Sequence, residues 1–265
     1  YTAYPAYAAY PAEGVPNSAL PDWTARADQP QRRQQAALTR ARFRRHRVDL
    51  LAASPRRAAA RIRSCGGPGA GAFLTCAASE TAGTELRDGA FAFALRRRLG
   101  VHTMADGLTC QVPSTTRPGT VCGAPLDAAG DHTMSCNYGG YKTYRHSRLV
   151  AKLRAILREA GCRVAPREVE VPGWRRPEGR GARLEVSYVE DGARHYADVS
   201  IRSPYRADLL VRAAAGDGVA ARRGEEDKLA DYPAVPDAGL DAVQPFVLES
   251  FGRLGQCAQD LLRHL

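Results

Sequence analysis

No run in this sequence approaches the roughly 18–20 apolar residues that a membrane-crossing helix needs, so no membrane partner is expected. The first residues, YTAYPAYAAY, lack the basic start and apolar centre of a secretory signal. An initiator Met is also missing, and the chain is read as a fragment of something longer. Cysteine is sparse, with seven widely spread residues. An odd number without a secretion signal argues against a disulfide framework and for a reducing compartment. Acids are outnumbered, 28 Asp and Glu against 38 Lys and Arg, for a net charge of +10. That excess favours a polyanionic partner through counterion release and long-range attraction. The competing reading is an Arg-rich composition inherited from a GC-rich genome. The Gly-rich stretch CGGPGAGAFL at 65–74 is not followed by Gly-Lys-Ser/Thr, which excludes a P-loop and leaves a flexible joint.

What is present suffices for a core. Hydrophobic residues make up 44% of 265, enough for one moderate domain with appendages or for two small ones. Residues 1–27 are Tyr-, Ala- and Pro-rich and read as a disordered low-complexity tail. Residues 28–105 read as basic and packing helices with a linker. The first helix begins at Gln31, is interrupted at Pro55 and contains Asp49 as its only acid. Its Arg40, Arg44 and Arg47 are candidate phosphate contacts, against the alternative of a solvated face. RDGAFAFALRRRLG predicts a packing helix with Phe91, Leu95 and Leu99 on one face, Arg96 and Arg97 turned away, and Gly100 as the stop.

From Arg145 the pattern is more regular. RHSRLVAKLRAILREAG has helical spacing, and CRVAPREVEV alternates like a strand. RLEVSYV and RHYADVSI flank Asp191-Gly192 and predict a hairpin. A Gly-interrupted helical stretch to Tyr232, the apolar strand QPFVLES and the helix LGQCAQDLLRHL complete an order of α-β-β-β-α-β-α.

Two acids sit on the hairpin arms, Glu185 and Asp198. Both should point away from the face carrying Leu184, Val186, Val199 and Ile201. Carboxylates held so close repel unless a cation lies between them, and oxygen ligands suit Mg²⁺. The alternative is two solvent-facing strand acids, one of them able to pair with Arg183, Arg194 or Arg202. Glu168 and Glu170 lie on the preceding strand and add acids nearby. Lys228 and Tyr232, four apart, share a helical face. In VCGAPLDAAGDHTMSC, the spacing of Cys122, His132 and Cys136 is compatible with one Zn²⁺ or with buried free thiols.

The ordered motifs CGGPGAGAFL, CGAPLDAAGDHTMSC, YRHSRL, EVPGW, YADVSIRSP, KLADY and FVLESFGRLG span roughly residues 64–265. In order and spacing they resemble the region after the reverse transcriptase in eukaryotic non-long-terminal-repeat retroelements. That family carries a zinc knuckle followed by a restriction-like endonuclease of the PD-(D/E)xK fold. The resemblance implies an α+β protein with an αβββαβ nuclease core at 141–265, a zinc knuckle at 106–140 and a helical, partly disordered N-terminal arm. Arg145, His146 and Ser147 resemble the family's Arg-His-Asn, and the first two become candidate nucleic-acid contacts. Glu185 matches the family's first acid, with Glu where the family has Asp; Glu178 in RRPE is a rival. Asp198 matches the second acid. Ser200 and Ile201 stand where the usual Asp-x-Lys lysine would be, and Lys228 and Tyr232 match the family's Lys-x-x-x-Tyr on the following helix.

The implied function is a Mg²⁺-dependent endodeoxyribonuclease that nicks target DNA to prime reverse transcription. Glu185 and Asp198 would hold the metal with Glu170, Lys228 would orient the water and Tyr232 would support Lys228. Zn²⁺ would be structural, on Cys110, Cys122, His132 and Cys136, with Asp131 accepting a hydrogen bond from His132. Implied partners are DNA, element RNA and a joined reverse transcriptase domain, and the implied location is the nucleus. The alternative is a catalytically decayed nucleic-acid-binding module. Cys65, Cys76, Cys162 and Cys257 are expected as small core residues. His46, His102, His195 and His264 have no partner that the sequence names.

Overall fold

The computed structural model describes residues 31–81, 83–175 and 181–265. The tail at 1–27 and Glu178 lie outside them. The chain divides into two units at Pro55, within the 28–105 stretch read as one segment. In the first unit the described residues form one helix, α1 (Gln31–Ala53), ended by Ser54-Pro55. It has no apolar stripe, and Phe43, Val48 and Leu50 are exposed. A helix polar all round has no face to bury. Arg40 and Arg44 are exposed on it, and Arg47 is half-buried. Among the described residues, no helix is long and apolar enough to cross a membrane.

The second unit is mixed α+β. It runs α2 (Arg56–Cys65), α3 (Asp88–Leu99), α4 (Asp131–Ser135), α5 (Tyr141–Glu159), β1 (Arg163–Val164) and β2 (Val169–Arg175). It continues with β3 (Gly181–Leu184), β4 (Val186–Glu190), β5 (Ala193–Arg202), α6 (Leu210–Ala215), α7 (Val219–Asp231), β6 (Gln244–Glu249) and α8 (Gln256–His264). The main sheet has the order β1-β4-β5-β6. β4 is antiparallel to β1 and β5, and β6 is parallel to β5. Asp191 (φ 46°) and Gly192 (φ 83°) make the two-residue turn between β4 and β5, with Glu190 opposite Ala193. Both central residues at positive φ are what a primed hairpin turn requires.

One sheet face carries Val186, Tyr188, Ala197, Val199 and Phe246. Val150, Leu153 and Leu157 of α5 pack on it, with Ala258 and Leu261 of α8. Leu153 and Leu157 are fully buried, and burying such a side chain stabilises by about 1.5–3 kcal/mol. The opposite face takes α7, whose Gly224 sits so close to Val247 that an added Cβ would lie 2.8 Å from Val247 Cγ1.

Two expected strands are each broken in two. CRVAPREVEV splits at Ala165-Pro166 into β1 and β2, since proline cannot donate to a ladder. RLEVSYV splits at Glu185 into β3 and β4, and β3 pairs with β2 in a separate two-stranded sheet. The split corrects one expected face. Leu184 does not line up with Val186 and Val199, but packs with Val171, Trp174, Ala182, Tyr232 and Val243. The face expected for α3 holds only in part: Leu95 is half-buried and Arg96 exposed as expected. Phe91 and Leu99 are exposed, while Arg97 is buried at 7% exposure. Gly100 (φ 73°) ends the helix as expected, donating to Arg96 O and Arg97 O.

Candidate active site and candidate metal centre

The break at Glu185 builds the first site. The β4–β5 ladder stops at the Val186–Ala197 pair. Two residues on, the Val199 N–H donates to Glu185 Oε2 at 3.3 Å and the Val199 carbonyl accepts from His146 Nε2 at 3.0 Å. A side chain from the bend and another from α5 therefore serve the backbone groups of Val199. A carbonyl only accepts, so Nε2 carries a proton, and Glu185 Oε1 lies 3.2 Å from the same nitrogen. The Glu185 hydrogen bond raises the His146 pKa and outweighs burial, which lowers it. Arg154 Nη2 donates to the Glu185 carbonyl and its Nη1 to Pro166 O at 3.2 Å, so α5 holds the bend.

Asp198 lies on β5, with its side chain on the face covered by α7. Lys228 Nζ of α7 donates to Asp198 Oδ2 at 2.7 Å, with the two side chains 19% and 8% exposed. Burial pushes the Asp198 carboxyl up, and Glu185 adds to that. Lys228 and His146 pull the other way without cancelling it. Glu185, Asp198, Lys228 and His146 thus form one electrostatic cluster, from the bend between β3 and β4, β5, α7 and α5.

Other expected site residues stand elsewhere. Glu170 does not join the cluster: it is exposed on β2, opposite Arg183, with its carboxylate over Gly181. Outward alternation on the small sheet takes it there. Glu168 is exposed too. Tyr232 caps the end of α7 and is buried against Trp174, with ring centroids 5.6 Å apart. Lys228 Nζ is 5.9 Å from the Tyr232 ring centre, so Tyr232 acts on the lysine through its ring. His146, expected to contact nucleic acid, is engaged by Glu185 and Val199. Arg145 donates through Nη2 to Met134 O at 2.6 Å and so ties α5 to α4.

The second site is the Cys/His cluster. Cys110 and Cys122 lie on opposite arms of a narrow loop, joined by Cys110 N to Ala124 O (2.8 Å), Gly123 N to Cys110 O (2.9 Å) and Cys122 N to Val112 O (3.0 Å). His132 lies on α4 and Cys136 caps its end. The four ligand atoms lie within 4.8 Å of one another. Cys110 Sγ to Cys136 Sγ is 3.8 Å, and Cys122 Sγ to His132 Nε2 is 3.4 Å. Tetrahedral Zn²⁺ with Zn–S of about 2.3 Å and Zn–N of about 2.0 Å has S–S edges of about 3.8 Å and S–N edges of about 3.5 Å. The group therefore fits a metal such as zinc, and among the described residues it is the one Cys/His/Asp/Glu group of three or more with such geometry. A backbone hydrogen bond from Ala124 lowers the Cys122 pKa, and burial raises that of Cys136.

The surroundings of this centre differ from expectation. Asp131 is not a partner of His132. Its carboxylate takes Arg57 Nη2 at 2.7 Å and Arg97 Nη2 at 3.1 Å. Asp127 instead caps α4, accepting from Asp131 N at 2.8 Å and His132 N at 2.7 Å. Burial opposes the charge on Asp127, but these backbone donors outweigh it and hold the carboxyl below its usual range. Arg97 also donates to Ser250 O at 3.2 Å and lies 4.1 Å over the Phe251 ring. It therefore joins the metal segment to the end of β6. The sequence carried a signal for Asp127, an Asp shortly before a short helix, but none for a buried arginine. All seven cysteines are free. Cys65 and Cys162 are buried as expected, Cys257 is half-buried, and Cys76 is exposed, which corrects its assignment to the core. Of the histidines without an expected partner, His264 Nε2 lies 3.4 Å from Glu190, and His195 stacks on Tyr188 at 5.2 Å between ring centroids.

No protein-family model matches the chain, and no curated protein matches it.

Proposed function

We propose that this chain is a Mg²⁺-dependent DNA endonuclease module with a PD-(D/E)xK core, α5-β-β-β-α7-β6, and a structural Zn²⁺ centre before it. The observation that carries the reading is the buried pairing of Asp198 on β5 with Lys228 of α7 at 2.7 Å, with Glu185 near enough to act on the Asp198 carboxyl. A carboxylate pair with a lysine on the neighbouring helix is a donor set for phosphodiester hydrolysis. Hard carboxylate oxygens suit Mg²⁺, and the burial that raises the Asp198 pKa is a burden that a cation would relieve. Glu185 and Asp198 would hold it. When bound, Mg²⁺ supplies polarisation of the scissile phosphate and activation of an attacking water.

The chain's own residues do the remaining work. His146 fixes the Glu185 carboxylate with one N–H and anchors it to β5 through Val199. Lys228 neutralises Asp198 in the free protein; in the working site its ammonium orients the water and stabilises charge on the phosphate. Tyr232 and Trp174 brace the helix end that carries the lysine. Cys110, Cys122, His132 and Cys136 would hold the zinc, which would fix α4 to the loop that carries Cys110 and Cys122. The resemblance to non-long-terminal-repeat retroelements supplies the context: nicking of target DNA to prime reverse transcription, in the nucleus, beside a reverse transcriptase domain and the element's RNA.

Nicking of a supercoiled plasmid tests the reading. Asp198→Ala should abolish Mg²⁺-dependent nicking, a loss of roughly a thousandfold or more, while DNA binding stays largely intact. Lys228→Ala should slow nicking without removing it. A wild-type protein that binds DNA but never nicks it in Mg²⁺ or Mn²⁺ would favour the second reading, a decayed nucleic-acid-binding module. The observation on that side is that, among the described residues, the acids of this cluster are Glu185 and Asp198, each already paired, Asp198 with Lys228 and Glu185 with His146.

A further inference from the structure

Two cavities, of about 510 and 530 Å³, lie side by side along the first half of α5. They share Met134, Arg145, Ile201 and Ser250 as lining residues and so form one trough. Its floor is apolar, from Ile201 with Leu149 and Leu248, and its rim is cationic. Lys142, Arg145, Arg148 and Lys152 come from α5; Arg202 and Arg206, from β5 and the loop after it, are paired with Asp227 and Asp208. On α5, Arg145, Arg148 and Lys152 follow at i, i+3 and i+7, which puts them on one helical face. The one acid lining the trough, Glu249, is buried, and its Oε1 is taken by the Ala220 and Ala221 N–H groups at 3.0 and 3.2 Å.

We infer that this trough seats the phosphate backbone of a nucleic-acid strand and leads it to the Glu185–Asp198 pair. The inference deepens the nuclease reading and rests on it for the direction of the strand. Several observations support a phosphate strand over an acidic peptide. The trough's second half is lined by His146, whose Nε2 lies 3.2 Å from Glu185 Oε1, so one side chain stands between the trough and the carboxylates. A strand of phosphates with a divalent ion is at home there, whereas a peptide's carboxylates would meet like charge. Two of the chain's three lysines, Lys142 and Lys152, stand on this rim, and the third is Lys228 of the site. Lys142 to Lys152 covers about 15 Å of helix at 1.5 Å per residue, a length of about four base pairs at 3.4 Å each. Arg148 and Lys152 are exposed and have no ion-pair partner among the described residues, so they face solvent with full charge. Arg145 Nε, shared by both halves, is a buried donor without a hydrogen-bond partner among the described residues, the kind of group that an ion or a water normally meets.

The test is binding of the full chain to a 30-base-pair duplex in a buffer without Mg²⁺ or Mn²⁺ and free of chelator, which would strip a structural zinc, followed by fluorescence anisotropy across a salt series. Arg148→Ala/Lys152→Ala should lower the slope of log affinity against log salt by about 1.8, at about 0.9 for each phosphate no longer neutralised. Its affinity at low salt should fall by about tenfold or more. Both side chains are exposed, so zinc content and thermal midpoint should match wild type, which separates a weakened grip on phosphate from misfolding. Unchanged affinity and slope would overturn the proposal. So would competition by polyglutamate at the same charge concentration as DNA, which would assign the trough to an acidic protein segment. Because leaving out Mg²⁺ removes catalysis, the two ideas fail separately. A wild type that binds through the trough but never nicks defeats the nuclease reading alone. A nicking wild type whose double variant binds normally defeats the trough alone.

Discussion

Asp198 and Lys228 are 30 positions apart and 2.7 Å apart in space. The meeting depends on which side of β5 each residue faces: Val199 belongs to the core under α5, so Asp198 must face α7. Glu185 depends on a further local event, the bend that takes it out of the ladder and turns its carboxylate onto the Val199 N–H. Arg97 shows the same dependence on context in a residue that the sequence assigned to solvent. It is 8% exposed at the side chain, bonded to Asp131 and Ser250 and stacked on Phe251. Arg97→Leu should destabilise the fold by about 2–4 kcal/mol, because it breaks a buried pair and leaves Asp131 with Arg57 alone. Arg97→Lys should recover only part, since an ammonium keeps the charge but not the planar stack. Urea unfolding measures both, and a Leu variant as stable as wild type would reduce Arg97 to a passive packing residue.

Among the elements, α4 has the least covalent chain for the most work. It is five residues long, too short to persist alone, yet it presents His132, ends at Cys136 and gives Met134 to Arg145. Asp127 at its start and the arginines on Asp131 hold it, and a metal on the Cys/His group would hold it further. Purified protein should carry one zinc per chain by elemental analysis. Cys136→Ser should reduce that content to well under half, whereas Cys76→Ser should leave it unchanged because Cys76 lies outside the cluster. The Cys136 variant should also melt lower than wild type, as binding free energy of the metal is folding free energy here. Wild-type protein without zinc, prepared under metal-replete conditions, would contradict the assignment.

Across the whole chain, positive charge is divided between two places with different surroundings. On α1, Arg40 and Arg44 are exposed on a helix without an apolar side, and Arg45 pairs with Asp49 at 3.6 Å. Around α5, the cations line a shaped trough. Phosphate contacts made by the first kind should add affinity without sequence choice. Deleting residues 1–55 should therefore weaken duplex binding and flatten its salt dependence, by about 0.9 in slope for each phosphate that α1 had neutralised. The deletion should leave sequence preference and zinc content as they were. An unchanged salt slope would make α1 a solvated face.

The sequence by itself determined where several elements after Arg145 lie, because apolar period and turn chemistry are local properties. α5, the Asp191-Gly192 hairpin, β6 and α8 stand where spacing put them. It also named the four residues of the Cys/His group, since few residue types bind zinc and few were in range. Only the tertiary structure decided the rest. The splitting of RLEVSYV at Glu185 is enforced by Arg154 from another element, and the burial of Arg97 by Asp131, Ser250 and Phe251, all far away in sequence. Asp131 is not available to the histidine because two arginines compete for it more strongly than one ring N–H does. Glu170 stands outside the acid cluster because its strand left the main sheet. Each of these outcomes turns on which long-range partner wins a charge or a backbone group, and periodicity carries no information about such competition.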